Sequence, residues 1–299
     1  MGQRAGTTVV RSTVMGLPPL VLCRRPFLRG PTGKADRNQV PVFMATRGHK
    51  WSLTLPSYRG VDVDSERSEP EGGWPVIRGY RWASHDVGLY VSDYKTKEEL
   101  QWWADRSFVV RDEYDACLIR LGVSHPNEGV FHGKGSSIED FFFVYTYLFN
   151  QLFVRAPFTS FQSARLRELN VAPSQLHPNG LAYIQAFVVV CSALGITRSM
   201  SVFLHYFHVR PLAKKGWVSL TTVQDCCLFR PYSESFKNFK KRYFKILIEE
   251  ASRSEFYDEG DVPLFPFHWT RDPRKINATP VGIMTHVEVE TVRMINDLP

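Results

Sequence analysis

His205 and His208 are spaced so that, on a helix, their imidazoles stand on neighbouring turns and can reach one metal ion. A metal site needs further ligands, and no Asp, Glu or Cys lies within four residues of either histidine. Both are therefore read as satisfied side chains, and no metal is assigned. Gly129 to Ser136 has the glycines of a phosphate loop. A nucleotide-binding loop needs G-x-x-x-x-G-K-[ST], so that successive amides cradle phosphates and a hydroxyl binds magnesium. Gly129 stands one residue too close to Gly133, and Gly135 occupies the hydroxyl's place after Lys134, so no nucleotide or other cofactor is expected. His85-Asp86 and Asp225-Cys226 are adjacent pairs; neighbours on a strand point to opposite faces, so neither makes an acid–base couple by itself. No catalytic residue is assigned, and the chain reads as non-enzymatic.

The binding candidate is a basic set: Lys237, Lys240, Lys241, Arg242 and Lys245, interleaved with Phe239, Tyr243 and Phe244. Tyr232, Phe236, Phe239 and Tyr243 fall at 0, 4, 7 and 11, which predicts a helix with the lysines on its other face. Four or five such charges would contact phosphates with a salt-dependent affinity. A solvated helix face with its aromatics in the core explains the same pattern.

The elements that would position these groups read mainly as helices. Thr96 to Glu99 is a capping box, in which the Thr hydroxyl accepts from the Glu amide and the carboxylate reaches back. Leu100 and Trp103 then share a face. A second helix is predicted from Asp112 to Leu121, stopped at Gly122. Ser136 to Glu139 is another capping box, opening a predicted helix with Phe141, Phe142, Tyr145, Leu148, Phe149 and Leu152 at helical spacing. Pro157 breaks the chain, and Thr159 to Gln162 caps a third helix ending near Leu169. Pro173 and Pro178 bar helix at Ala172 and His177, while Pro178 suits the first turn of an apolar helix running to Gly195. That helix has almost no polar side and should be central. His177, between Leu176 and Pro178, is read as a turn or cap residue. Thr197 or Ser199 caps a further helix bearing Met200, Phe203 and Phe207, ended by Pro211. Trp217 to Thr222 has strand character, with Cys226 to Phe229 as its expected hairpin partner. Phe244 to Ile248 is read as extended, and Val287 to Leu298 as a last helix. The expected fold is mainly α within the α+β class: a helical core, a small β-hairpin near 217–229 and extended C-terminal pieces.

Composition sets the domain plan. The 299 residues are 43% hydrophobic and 13% aromatic, enough for a sizeable core. The formal charge is +7, but residues 1–60 hold ten Lys and Arg against Asp36 alone, which is +9 and leaves the rest at −2. Residues 1–75 are expected to be a disordered basic leader with an acidic linker, 76–270 a helical globular domain, and 271–299 a tail. An Arg-rich, acid-poor start also fits an organelle transit peptide, although an intracellular site in nucleus or cytoplasm is the favoured reading. Cys23, Cys117, Cys191, Cys226 and Cys227 are odd in number and lack paired spacing, which argues for reduced thiols. The apolar run Leu181 to Leu194 is too short for a bilayer, so no membrane partner is expected.

Three blocks carry a resemblance. Val171-Ala172-Pro173-Ser174-Gln175-Leu176-His177-Pro178-Asn179, then Lys214-Lys215-Gly216-Trp217-Val218-Ser219-Leu220, then Phe256 to Glu259 with Pro263 to Thr270, occur in that order. Together they resemble the plant gypsy-type transposon domain over roughly Ser136 to Thr270. Gly180-Leu181 departs from it, where such proteins often carry Ser-Trp. The resemblance implies a retroelement origin and supplies no catalytic residues; its motif residues are expected to be structural. A zinc knuckle, a D-[ST]-G protease motif and a Y-x-D-D polymerase motif do not occur in this sequence. The chain is therefore expected to be a leading fragment or a solitary derivative. The expected role is an interaction or assembly module with weak nucleic-acid binding, whose partners are nucleic acid, further copies of itself or other element-encoded proteins. A transposase-like DNA-processing enzyme is the alternative, and a relic without present function is the third reading.

Overall fold

The computed structural model describes residues 90–298 except 126–127, 136, 212–215 and 230–238, with Tyr80, Trp82, Ala83 and Val87 ahead of them. It also describes a two-residue ladder pairing Val9–Val10 with Leu20–Val21. The other expectations for residues 1–75 lie outside the described residues.

The fold opens as its capping box predicts: Thr96 caps α1 (Lys97–Ala104), which buries Leu100, Trp103 and Ala104. Asp112 also caps a helix, but α2 (Glu113–Ala116) lasts one turn, and the chain then straightens into β1 (Ile119–Gly122). The next departure decides the fold class. The segment predicted as an aromatic helix from Ser136 is the strand β2 (Phe141–Tyr145), followed by the single turn α3 (Tyr147–Asn150). All five residues of β2 are buried, so both faces are apolar and the alternation that marks a half-exposed strand is missing. Both β1 and β2 pair antiparallel with β5 (Tyr243–Ile248), in the order β1-β5-β2. The expected mainly helical core is thus replaced by a mixed α+β fold around a three-stranded sheet.

Register places the side chains. Phe142 sits opposite Ile246 and turns its ring toward Phe158, Phe256, Phe265 and Phe267. Phe143, opposite Lys245, lies on the other face and meets Tyr243 edge-on. Burying each such ring contributes about 2–3 kcal/mol, which outweighs the helix preference of the local sequence.

The helical layer follows the sequence more closely. Thr159 and Gln162 form the capping box of α4 (Ser160–Leu169), and Asn170 ends it in the left-handed conformation. A single 3-10 turn (Pro173–Gln175) leads to α5 (Pro178–Leu194), at whose start the His177 ring accepts from the Asn179 amide and whose end is Gly195 at φ 64°. Ser199 caps α6 (Met200–Tyr206), which passes directly into β3 (Phe207–Pro211). β3, in place of Cys226 to Phe229, is the hairpin partner of β4 (Val218–Thr222). Phe207 and Val209 point inward and His208 and Arg210 outward, and Pro211 stands at the strand end where a missing N–H is tolerated. The last helix, α7 (His286–Asn296), packs on α6: the Tyr206 hydroxyl donates to Val292 O and Asn296 Oδ1, and Val292 and Ile295 join the common core. Among the described residues no helix is long and apolar enough to cross a membrane.

Candidate functional site

The three sequence blocks meet in space. Leu176 bridges Val218, and the His177 amide donates to Val218 O at 2.8 Å, so the proline-stiffened connector runs beside β4. Gln175, fully buried, donates through Nε2 to Gly216 O at 3.2 Å and Thr270 O at 2.8 Å, and its Oε1 accepts from Thr270 N at 3.0 Å. Trp269 donates to the Ser174 hydroxyl at 3.0 Å and meets Trp217 edge-on at 5.4 Å. Gly216 has φ 73°, and a Cβ there would sit 2.7 Å from the Trp269 ring. The chain needs glycine at this position for both reasons. Ala172, Pro173, Ser174, Gln175 and Leu176 are all buried, so these motif residues hold the connector, β4 and the Trp269 segment together.

Beside this knot lies the entrance to β5, and here the described end of the predicted basic helix, from Phe239 onward, does not form the expected α-helix. Phe239–Lys241 is a 3-10 turn and Tyr243–Ile248 a strand, so Lys240, Lys241, Arg242 and Lys245 do not share one helix face. Lys237 lies outside the described residues. Lys240 places its ammonium 4.6 Å from the Tyr90 ring centroid and 4.7 Å from that of Trp217, and donates to the Tyr90 hydroxyl at 3.2 Å. Lys241 is exposed, and Arg242 is exposed with Asp93 3.8 Å away. Lys245 is drawn into the sheet: it pairs with Glu128 at 2.6 Å, with both side chains nearly buried, and lies over Phe141 and Phe143. Lys240, Lys241 and Arg242 therefore form a cationic turn, while Lys245 belongs to the core.

Under the turn, Tyr145 and Tyr147 stack at 5.7 Å, and Phe239 meets both rings edge-on. Burial pushes both phenols well above the usual tyrosine range; the nearby Trp217 indole opposes this at Tyr145. The Tyr145 hydroxyl and Trp217 Nε1 are nevertheless buried without a well-formed hydrogen bond. Burial, then the Lys240 charge, pushes the His177 imidazole down. A neutral ring suits its place as acceptor from Asn179 N.

The other ionisable groups considered from the sequence are engaged elsewhere. His205 Nδ1 lies 3.0 Å from Thr279 O, and His208 Nδ1 accepts from Ala278 N at 3.0 Å. The strand that begins at Phe207 takes the two rings off a common helix face. Among the described residues no group of three or more His, Cys, Asp or Glu is placed to hold a metal. Lys134 pairs with Asp140 at 2.7 Å, and a Cβ on Gly133 would meet the Tyr80 hydroxyl. His85 and Asp86 lie outside the described residues, and Asp225 sits in a turn at φ 61°.

Two features had little signal in the sequence. Asp140 gathers Lys134, Arg253 at 3.3 Å and the Tyr257 hydroxyl at 2.5 Å. Burial alone would raise its carboxyl, but these donors hold it below the usual range. Lys134 is six residues away, but Arg253 and Tyr257 come from more than 100 residues along the chain, which no local pattern reports. The second is a set of arginine–aromatic pairs: Arg106 over Trp102 at 4.1 Å, and Arg155 over Phe108 at 5.5 Å and Phe153 at 5.9 Å. The first has i, i+4 spacing and was legible in principle.

A cleft of about 20 Å³ is lined by Gln101, Ala104, Val109, Val110, Ile119 and Leu121, without an ionisable side chain. Residues 144–211 match the family model described as "Putative gypsy type transposon". The match takes in the Val171 to Asn179 block and ends before Trp217 and Trp269, which the fold brings against it. No curated protein and no solved structure matches the chain.

Proposed function

With residues 144–211 tied to gypsy-type transposons, we propose that the protein is a non-catalytic interaction or assembly module of retroelement origin that binds nucleic acid weakly. The observation that carries this reading is the cationic turn at the entrance to β5. Lys240 is held between Tyr90 and Trp217, and Lys241 and Arg242 stand exposed next to it. Lys240 is already held by its two rings and so loses little side-chain freedom on meeting a phosphate, and each cation that makes such a contact adds a salt-dependent increment. Support for a non-catalytic role comes from how the acid–base side chains are used. His177 caps a helix, His205 and His208 bond to the backbone of 278–279, and Asp140 is enclosed by three donors.

Titration of labelled single-stranded DNA and RNA at low salt tests this. The double substitution K241E/R242E is expected to weaken binding and to lower the slope of log affinity against log salt by about two, one per lost phosphate contact. Unchanged affinity and slope would exclude the turn as the contact. Magnesium- or manganese-dependent nicking or strand transfer would overturn the non-catalytic role.

A further inference from the structure

We propose that the C-terminal half of α1, with the segments around Phe108 and Arg155, is a stacking platform for unpaired bases of single-stranded nucleic acid. It is separate from the cationic turn. The inference rests on the reading that the protein contacts nucleic acid, and it names the surface that holds the bases.

Trp102 is 61% exposed and Phe108 43% exposed, large areas for rings on a folded surface. Each carries a guanidinium on its ring: Arg106 lies 4.1 Å from the Trp102 centroid and Arg155 5.5 Å from that of Phe108. The turn that ends α1, Arg106 N to Trp103 O and Ser107 N to Ala104 O, carries the chain straight into Phe108. Ala156 N donates to Val109 O at 2.8 Å and Val110 bridges Ala156, which sets the 108–110 segment beside 154–156. The two ring–arginine pairs therefore lie on neighbouring segments.

The charges favour an anionic partner. Arg106 donates to Trp102 O, and Arg155 to Phe149 O and Val154 O; neither has a carboxylate partner among the described residues. Burial alone lowers Arg155 to about 10, so this guanidinium stays charged at neutral pH without a counter-ion. Phe153, which stacks on the same guanidinium, is held at φ 54°, a costly conformation for a bulky residue. A flat ring backed by an arginine offers its open face to a base, while the guanidinium meets the adjoining phosphate. A duplex keeps its base faces stacked internally and cannot use the rings in this way.

The test uses the full chain and a fluorescein-labelled 12-mer, as single strand and as duplex. W102A/F108A is expected to weaken single-strand binding roughly tenfold or more while leaving duplex binding unchanged, and W102F/F108Y is expected to bind like the parent. R106E, at an exposed position, should weaken single-strand binding while the protein still melts cooperatively. If W102A/F108A binds the single strand as the parent does while K241E/R242E does not, the platform is wrong and the cationic turn stands. If the parent protein binds neither oligonucleotide, both readings fall. If W102A/F108A changes only sedimentation behaviour, the rings join copies of the chain and the proposal is overturned.

Discussion

Gln175 shows how a polar side chain can hold three distant segments of one fold. Its amide saturates the carbonyls of Gly216 and Thr270 and the amide of Thr270 in a fully buried place. Gln175→Ala would strand these groups away from water, and a loss of about 2–4 kcal/mol is expected in urea denaturation. A change below about 0.5 kcal/mol would mean that the knot relaxes around the substitution. His268 makes a second prediction. Burial lowers its imidazole to about 4, Lys134 and Lys245 add to this, and Asp140 opposes it. Its Nδ1 has no partner among the described residues. The unfolded chain takes up the proton near pH 6.5 and the folded chain only near 4, so stability is full above about 6.5 and falls as pH drops toward 4. His268→Phe should remove on the order of 2 kcal/mol of the difference in stability between pH 7 and 4.5. His132 and His177, also lowered by burial, keep a smaller slope of the same sign in that variant. The resemblance marks Gln175 as structural, but its partners and the surroundings of His268 could not be read from the sequence, because they lie in other segments.

Among the elements, agreement with sequence follows the range of the interactions that form them. The boxes at Thr96 and Thr159, the proline start of α5 and its glycine end depend on residues within four positions, and all stand as read. Phe141 to Tyr145 was misread because its aromatic spacing suits a helix, while pairing with Tyr243 to Ile248 makes it a strand. The same override ends α2 after one turn, since Ile119 finds Ile248 across the sheet. Glu288 ties two elements. One oxygen accepts from the Ser199 hydroxyl at 2.5 Å, and the other completes the Thr285 box of α7. Glu288→Ala is expected to cost about 1–2 kcal/mol and to raise amide exchange in the first turns of both α6 and α7. Faster exchange in α7 alone would show that the Ser199 contact contributes nothing.

For the whole molecule, the core runs beyond the blocks that carry the resemblance. Val292 and Ile295 complete it from α7, and Tyr206 reaches back to Asn296. A chain ending at Thr270 would lack these contacts and the backbone partners of His205 and His208 at Thr279 and Ala278. It is expected to melt at least 5 °C lower, or to aggregate, on the scale of several kcal/mol for lost core side chains. An unchanged melting temperature would show that residues 271–298 only decorate the domain.

Local chemistry was therefore legible in the sequence by itself: helix caps, proline and glycine boundaries, the apolar centre of α5, the strand at Val218 to Thr222 and the kinship of the connector block. These depend on short spacings along one chain. The tertiary structure decided which apolar run becomes a sheet and whether Lys245 faces solvent or Glu128. It also decided which distant residues surround Gln175, Asp140 and His268. Strand pairing and buried polar contacts are made between residues about 40 to 130 positions apart, and their free energy is set by the partner, which no local window contains.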